Sequence, residues 1–264
     1  MTTDPKDHKD SAPEPDNRCG DEEYTEGVAN PDVGLVAFYG HGKSAGAYAA
    51  FSNFYPCPFA FPHPNARQKL VFSCSEQAFM NQKALCFQDN ASADKIMATS
   101  DPFKHKALGR KVANFDAATW DADSMGSMEW ALWLKFSQNA ELKQLLLETK
   151  DQVIAECTPK DSLWAVGESI GDAKKRYAAW QVAARKARAE GRPIVPLVWK
   201  GKNRLGRCLM NIRQRLVNDV NAKAKANTKG KPAGVVGVGL GISSKSKPIQ
   251  HKAHAVRAVH EDDV

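Results

Sequence analysis

Apolar side chains recur with a secondary-structure period only between about residues 34 and 217. Leu35-Val36-Ala37-Phe38-Tyr39 is an unbroken apolar run closed by Gly40 and Gly42, the pattern of a buried strand. Lys69-Leu70-Val71-Phe72 and Val153-Ile154-Ala155 read the same way. Helical spacing is more frequent. Ser73-Cys74-Ser75-Glu76 has the S-x-x-E form of a capping box ahead of the helix formers of residues 77–87, so a helix is expected to start there. Ser127 precedes Trp130, Trp133 and Leu134 at helical spacing, and Asn139 precedes Leu142, Leu145 and Leu146. Leu205, Leu209, Ile212 and Leu216 form a further stripe, with Asn203 placed to cap it. Residues 172–190, dense in Ala, Lys and Arg, predict an exposed basic helix ending at Gly191. Helices outweigh strands and the two do not alternate, so the expected class is α+β, a mostly helical single domain with a few short strands.

The flanks have a different texture. Residues 1–33 are rich in Asp, Glu, Pro and Asn, and residues 218–264 in Lys, Ala, Gly and Ser, without a period that would bury enough surface to offset the entropy of ordering. The expectation is a disordered acidic segment over 1–33, one domain over 34–217 and a basic, flexible tail over 218–264. Charge follows the same division: three Lys/Arg against ten Asp/Glu up to residue 34, thirteen against fourteen over 35–170, and twenty-one against six from 171 onward. The net charge of +7 is therefore a C-terminal excess. Such an excess attracts nucleic acid through its phosphates without sequence recognition; a solvated tail that binds nothing in particular is the rival reading.

Several classes are excluded. No apolar run approaches the ~20 residues needed to cross a bilayer, and Met1 opens onto acids, prolines and lysines rather than a secretory signal. The six cysteines contain no C-x-x-C pair, which argues against a disulfide framework or a structural zinc site and for a reducing, cytoplasmic compartment, with nuclear entry through the tail left open. Gly40-His41-Gly42-Lys43-Ser44 ends as a P-loop ends, but that motif's first glycine falls on Ala37 and residues 45–51 start a helix poorly. The seven histidines form no H-E-x-x-H, so neither a metal nor another cofactor is expected.

Glu76 and Lys83 stand seven apart on the helix expected after Ser73. They share a face about 10.5 Å apart along the axis, close enough for both side chains to reach one substrate. Each has a plainer reading: Glu76 as the capping-box partner of Ser73, Lys83 as a solvent-facing helix lysine, and Asp161, after Pro159, as a turn or cap residue.

A longer pattern surrounds these three. Phe38-Tyr39, Phe51-Ser52-Asn53-Phe54-Tyr55-Pro56, Ser75-Glu76-Gln77 with Lys83-Ala84, then Pro102, Lys106, Gly109-Arg110 and Trp120 resemble the NADAR family, also called YbiA-like. The resemblance continues through Lys135-Phe136, Gln138-Asn139, Leu145-Leu146, Thr149, Glu156, Pro159 and Asp161-x-x-Trp164 to Trp199-x-Gly201-x-Asn203-x-Leu205-Gly206-x-x-Leu209-Met210 and Arg213, covering residues 36–216 in the family's order. Ala165 stands where the family usually has glycine, and residues 171–193 are longer and more basic than the usual connection.

The resemblance implies a YbiA-like fold and a metal-independent N-glycosidase that cleaves the bond between a ribose and a base or amine, on ribosylated pyrimidine intermediates of riboflavin synthesis or on ADP-ribosylated guanine in nucleic acid. Such cleavage develops oxocarbenium charge on the sugar and negative charge on the base, so it needs a carboxylate beside the anomeric carbon and a proton donor to the leaving nitrogen. Glu76 is the expected carboxylate and Asp161 the second acid or water-orienting group. Lys83 either holds a phosphate or ring oxygen as a cation, or attacks the opened sugar aldehyde as a Schiff-base amine. Asn53, Tyr55, Gln77, Arg110, Trp120, Trp164, Asn203 and Gly206 are the expected substrate-binding residues. Among them Trp120 and Trp164 are candidates to stack on a base, while Trp130 and Trp133 read as core, and the amides of Gly201–Gly206 are expected to offer a phosphate site, with an ordinary helix cap as the alternative. Two rival functions stand beside the enzyme: a module that binds ADP-ribose or an NAD metabolite without turnover, and a nucleic-acid-associated protein led by its basic tail.

Overall fold

Short strands pair two by two, and helices cover them. The computed structural model describes residues 25–26, 30–61 and 70–229. Strand β1 (Thr25–Glu26) pairs antiparallel with β6 (Leu197–Val198), β3 (Phe59–Phe61) pairs antiparallel with β4 (Leu70–Phe72), and β2 (Leu35–Phe38) pairs parallel with β5 (Val153–Glu156). The parallel pair is central: Val36, Phe38, Val153, Ile154 and Ala155 are all buried, as its unbroken apolar runs require. Its register places Phe38 opposite Glu156.

The helices are α1 (Ser75–Cys86), α2 (Asn90–Met97), α3 (Pro102–Gly109), α4 (Ala117–Gln138), α5 (Ala140–Glu148), α6 (Ile170–Ala189) and α7 (Arg204–Lys229). Helix α1 packs against α2, α3 and α4. Phe79 of α1, Leu132 and Phe136 of α4, Ile154 of β5 and the α7 stripe Leu205, Leu209, Ile212 and Leu216 share one core. Each residue of that stripe contributes about 1.5–3 kcal/mol by leaving water.

Several boundaries differ from the sequence expectation. Helix α4 starts at Ala117, not after Ser127, because Asp116 caps it by accepting from Thr119 N at 2.7 Å. Asn139 precedes α5, but its amide donates to the Lys135 carbonyl at 2.8 Å instead of capping that helix. Helix α6 is basic but not wholly exposed: Ala173, Tyr177, Trp180, Ala184 and Ala187 are buried, and a second core gathers Tyr177 and Trp180 with Leu197 and Trp199. Helix α7 continues past Asn218, where the sequence ends the domain.

Part of the segment expected to be disordered has defined partners. Asp32 pairs with Arg185 and Arg188 at 3.0 and 2.8 Å, Gln181 donates to the Pro31 and Val33 carbonyls, and Thr25–Glu26 joins β6. Polar donors from α6 thus order residues that have no apolar period of their own. Residues 1–24 and the expected tail from 230 onward lie outside the described residues.

One buried charge ties the fold to its functional face. Lys135 of α4 is 0% exposed, and its ammonium donates to the Ser52 carbonyl at 3.0 Å while sitting 5.6 Å from the Tyr55 ring centre. Burial pushes this amine down to about 8. The lysine clamps the start of the segment 52–55 from inside.

Candidate active site

Helix α1 begins one residue later than the capping-box pattern implies. Cys74 is its N-cap without a side-chain bond, so Gln77 occupies the third helical position. Gln77 Oε1 accepts from Ser73 N at 2.7 Å and Ser73 Oγ at 3.0 Å, and Nε2 donates to the Ile96 and Thr99 carbonyls at 3.0 and 2.9 Å. Its donors and acceptor are all engaged, which corrects its assignment as a substrate ligand. The same shift frees Glu76 from capping. Its backbone amide donates to the Asn53 carbonyl at 3.0 Å, while its carboxyl, in a residue only 5% exposed, has no hydrogen-bond partner among the described residues.

Burial raises the Glu76 carboxyl to about 7; Asp161 pushes in the same direction, while Lys106 and Arg110 oppose. A third acid belongs to this group. Glu156, the last residue of β5, is raised to about 8 by burial, then by Asp161 and Glu76, again against Lys106. Three carboxyls therefore feel one another, and the charges of Lys106 in α3 and of Arg110 at its C-cap act against them. Sequence analysis placed Glu156 only within the family pattern and did not select it or Lys106 as site residues. The overlooked signal was an acid closing the apolar run Val153-Ile154-Ala155, where a carboxylate is costly without a role.

Asp161 is both things the sequence allowed. Its Oδ1 accepts from Leu163 N at 2.9 Å and Trp164 N at 2.7 Å, a local turn that fixes the carboxyl, and its charge reaches Glu76 and Glu156. The Trp164 ring lies 5.1 Å from Phe79, and Phe79 lies 5.1 Å from Trp120 on its other neighbour. Both indoles are half-buried. Lys83 is half-buried too, its amine 4.0 Å from the Phe115 ring centre and 5.8 Å from that of Trp120, with burial lowering its pKa. The Lys83 amine is not among the charges acting on Glu76. Acid and amine thus sit at opposite ends of one α1 face, separated by Phe79 and its two indoles.

The start of α7 offers no free amide over residues 201–205. The amides of Gly201, Lys202, Asn203, Arg204 and Leu205 donate to the carbonyls of Val166, Ser162, Ala165, Leu163 and Trp164, at 2.8–3.3 Å. None of these five is left for an anion. Asn203, with φ +48°, donates from Nδ2 to the Ile154 carbonyl at 2.9 Å and accepts from Glu156 N at 3.3 Å. Gly206 packs so closely that a Cβ there would strike the Ile154 carbonyl and the Asn203 amide. Both were expected to bind substrate; both instead fix β5, and through it Glu156, from behind. Ala165 substitutes for the usual glycine without strain, because the positive φ of this turn falls on Gly167.

Of the expected residues, the structure gathers Glu76, Asp161 and Arg110 electrostatically. It places Asn53 on Glu76 through the backbone, Trp164 beside Asp161, and Trp120 beside Lys83, while Tyr55 is placed against the buried Lys135 amine. A separate depression of about 700 Å³ between α6 and β6 holds Glu168, already bidentate to Arg176, and shares no residue with this cluster. Among the described residues no group of three His, Cys, Asp or Glu side chains is arranged to hold a metal ion, and no helix is long and apolar enough to cross a membrane.

The raised carboxyls carry a stability signature. In the folded chain Glu76 and Glu156 retain protons up to about 7 and 8, whereas unfolded glutamates release theirs near 4.5. Unfolding then releases protons within this window, so their contribution to stability falls as pH rises from about 5 to 8. A thermal melt series should show this decline, and Glu156→Gln should flatten it; an unaltered slope in the variant would assign the decline to other groups.

Comparison with known proteins gives the family of the chain. The NADAR domain family model matches residues 37–217. The chain is 34% identical over 179 residues, 68% of its length and 94% of the relative's, to the N-glycosidase R617 of Acanthamoeba polyphaga mimivirus. It is 28% identical over 182 residues, 69% of its length and 88% of the relative's, to the N-glycosidase YbiA of Escherichia coli. The NMR structure of E. coli YbiA superposes with a TM-score of 0.52 at 27% identity, covering 71% of this chain and 88% of that one. The chain belongs to the NADAR domain family.

Proposed function

We propose that this chain is an N-glycosidase that hydrolyses the bond between a ribose, carried as ribose phosphate or ADP-ribose, and the nitrogen of a base or amine. One observation carries the reading: the buried Glu76 and the half-buried Glu156 and Asp161 act on one another, and burial raises the first two carboxyls to about 7 and about 8. The N-glycosidase names of the relatives supply the reaction class.

The site has the opposed groups this chemistry needs. Ionised Glu76 stabilises the oxocarbenium-like sugar, and Asp161, oriented by two backbone amides, activates or positions the water. Protonated Glu156 is the donor to the leaving nitrogen, a role its raised pKa suits at pH 7. Because the carboxyls are coupled, the two limbs of the pH profile belong to the cluster rather than to single residues. Trp120 and Trp164 flank the sugar, and Lys83 meets either its phosphate or its opened aldehyde.

The test offers purified protein a ribosylaminopyrimidine phosphate and an ADP-ribosylated guanine oligonucleotide in buffer containing EDTA, with mass spectrometry of the sugar released. Release of ribose phosphate or ADP-ribose from either substrate is expected. Tight binding without release would make the chain a reader of such ligands instead.

A further inference from the structure

Gly40-His41-Gly42-Lys43-Ser44 is not a phosphate loop, and its structure gives it another use. Residues 43–45 form a single 3-10 turn, and Gly40, at φ +81°, turns the chain immediately after Tyr39. His41 then stands 5.6 Å from the Phe54 ring and 6.1 Å from the Phe103 ring, and those two rings meet edge to face at 5.1 Å. Three separate segments thus bring three rings together. Phe103 is nevertheless 66% exposed, while His41 and Phe54 are half-buried. A cluster built only to fill the interior would hide both of its phenylalanines.

The surroundings of this rim indicate what covers it. Phe103 and Lys106 of α3 and Arg110, its C-cap with helical dihedrals, follow one another at i, i+3 and i+7, so the exposed ring and two exposed cations lie on one face. The two cations are the ones that act on Glu76, and Lys106 also acts on Glu156. Phe54 directly follows Asn53, whose carbonyl receives the Glu76 amide. The exposed ring thus shares a helix face with cations whose charges act on the carboxyls of the proposed reacting centre. With the amides of residues 201–205 consumed, Lys106 and Arg110, whose charges act on Glu76 and which are exposed beside Phe103, are the cations available to a phosphate here.

We infer that His41, Phe54 and Phe103 form a stacking subsite for a nucleobase that carries a phosphate, with Lys106 and Arg110 holding that phosphate. The inference rests on the N-glycosidase reading for its direction and extends it: the substrate has a second base beyond the ribose being cleaved. Such a base is either the adenine of an ADP-ribosyl group or the neighbouring base of a polynucleotide. Both present an aromatic face next to a phosphate, the chemistry recognised by rings interleaved with basic side chains.

The test titrates the full chain with etheno-AMP, with ADP-ribose as competitor, and separately with a short etheno-adenine oligonucleotide. Stacking is expected to quench the probe. Phe103→Ala should weaken binding about tenfold or more, and Phe103→Trp should restore it. Ribose 5-phosphate, which lacks a base, should bind both proteins alike. A response with etheno-AMP and ADP-ribose identifies the substrate's own adenine, and one confined to the oligonucleotide identifies a flanking base. No response of either probe to Phe103→Ala overturns the subsite, as does a parallel loss of ribose 5-phosphate affinity. These readings need no turnover, so release of sugar with no Phe103 dependence removes the subsite and leaves the enzyme. Rim binding without any sugar release does the reverse.

Discussion

Glu76→Gln should lower kcat by about a thousandfold, within the range for removing a group that acts on the transition state, and leave KM within a few-fold of the parent. Glutamine has the shape of protonated glutamic acid, and the native carboxyl makes no hydrogen bond among the described residues that the amide would disrupt. What disappears is only the ability to become negative while the sugar becomes positive. Stability supplies the internal check. The buried carboxyl is held at about 7 by its surroundings, so above pH 7 the parent bears a desolvated charge that the variant lacks. The variant should therefore melt no lower than the parent at pH 8 while being nearly inactive there. A loss of activity accompanied by a lower melting temperature would mean that Glu76 supports the fold, and retention of more than a tenth of kcat would remove it from the reaction.

The elements visible in the sequence are those whose burial is periodic. The α7 stripe and the runs of β2 and β5 have enough apolar positions in register to be read without tertiary context. Helices α2 and α3 escape because each is only eight residues long and buries two residues, Ala93 and Ile96 in one and His105 and Gly109 in the other. Their real signals are caps: Asp89 accepts from Ser92 N, and Asp101 accepts from Phe103 N ahead of Pro102. Missing α3 hid Lys106, because a lysine in unassigned chain points nowhere.

The candidate site divides along the same line. Glu76 and Lys83 could be paired on one face because helix geometry is local. Whether the amides at 201–205 were free could not be judged locally, since their acceptors lie some forty residues earlier, in the turn at 162–166. The basic character of α6 masked Tyr177 and Trp180 for a related reason. A helix with five buried positions among many Lys and Arg has a narrow apolar stripe that composition alone obscures.

Gly206→Ala is expected to be the most damaging single-methyl change available near the site, and Gly126→Ala to do the opposite. At Gly206 the added carbon would overlap the Ile154 carbonyl and approach Asn203 Oδ1 and Nδ2 to 2.5 and 2.6 Å, with two of these three atoms already bonded to each other. Neither β5 nor the start of α7 can yield independently, because Asn203 joins them and the amides of 201–205 anchor the same stretch to the turn bearing Asp161 and Trp164. Overpacking of this kind costs about 3 kcal/mol or more, a fall of roughly 6–12 °C in Tm for a domain of this size. The damage should also reach the chemistry. Relief of the overlap must move Asn203 or β5, and either motion shifts the Glu156 carboxyl that the proposed mechanism uses as a proton donor. Gly126, in the middle of α4, would place a methyl within 4 Å of nothing. Alanine there should stabilise the helix by about 1 kcal/mol through propensity alone, with no effect on kcat. The pair of melts separates close packing from a general sensitivity to alanine. If Gly206→Ala melts within about 2 °C of the parent, the contact between α7 and β5 is looser than its geometry states, and Glu156 is not held from behind in the way the site requires.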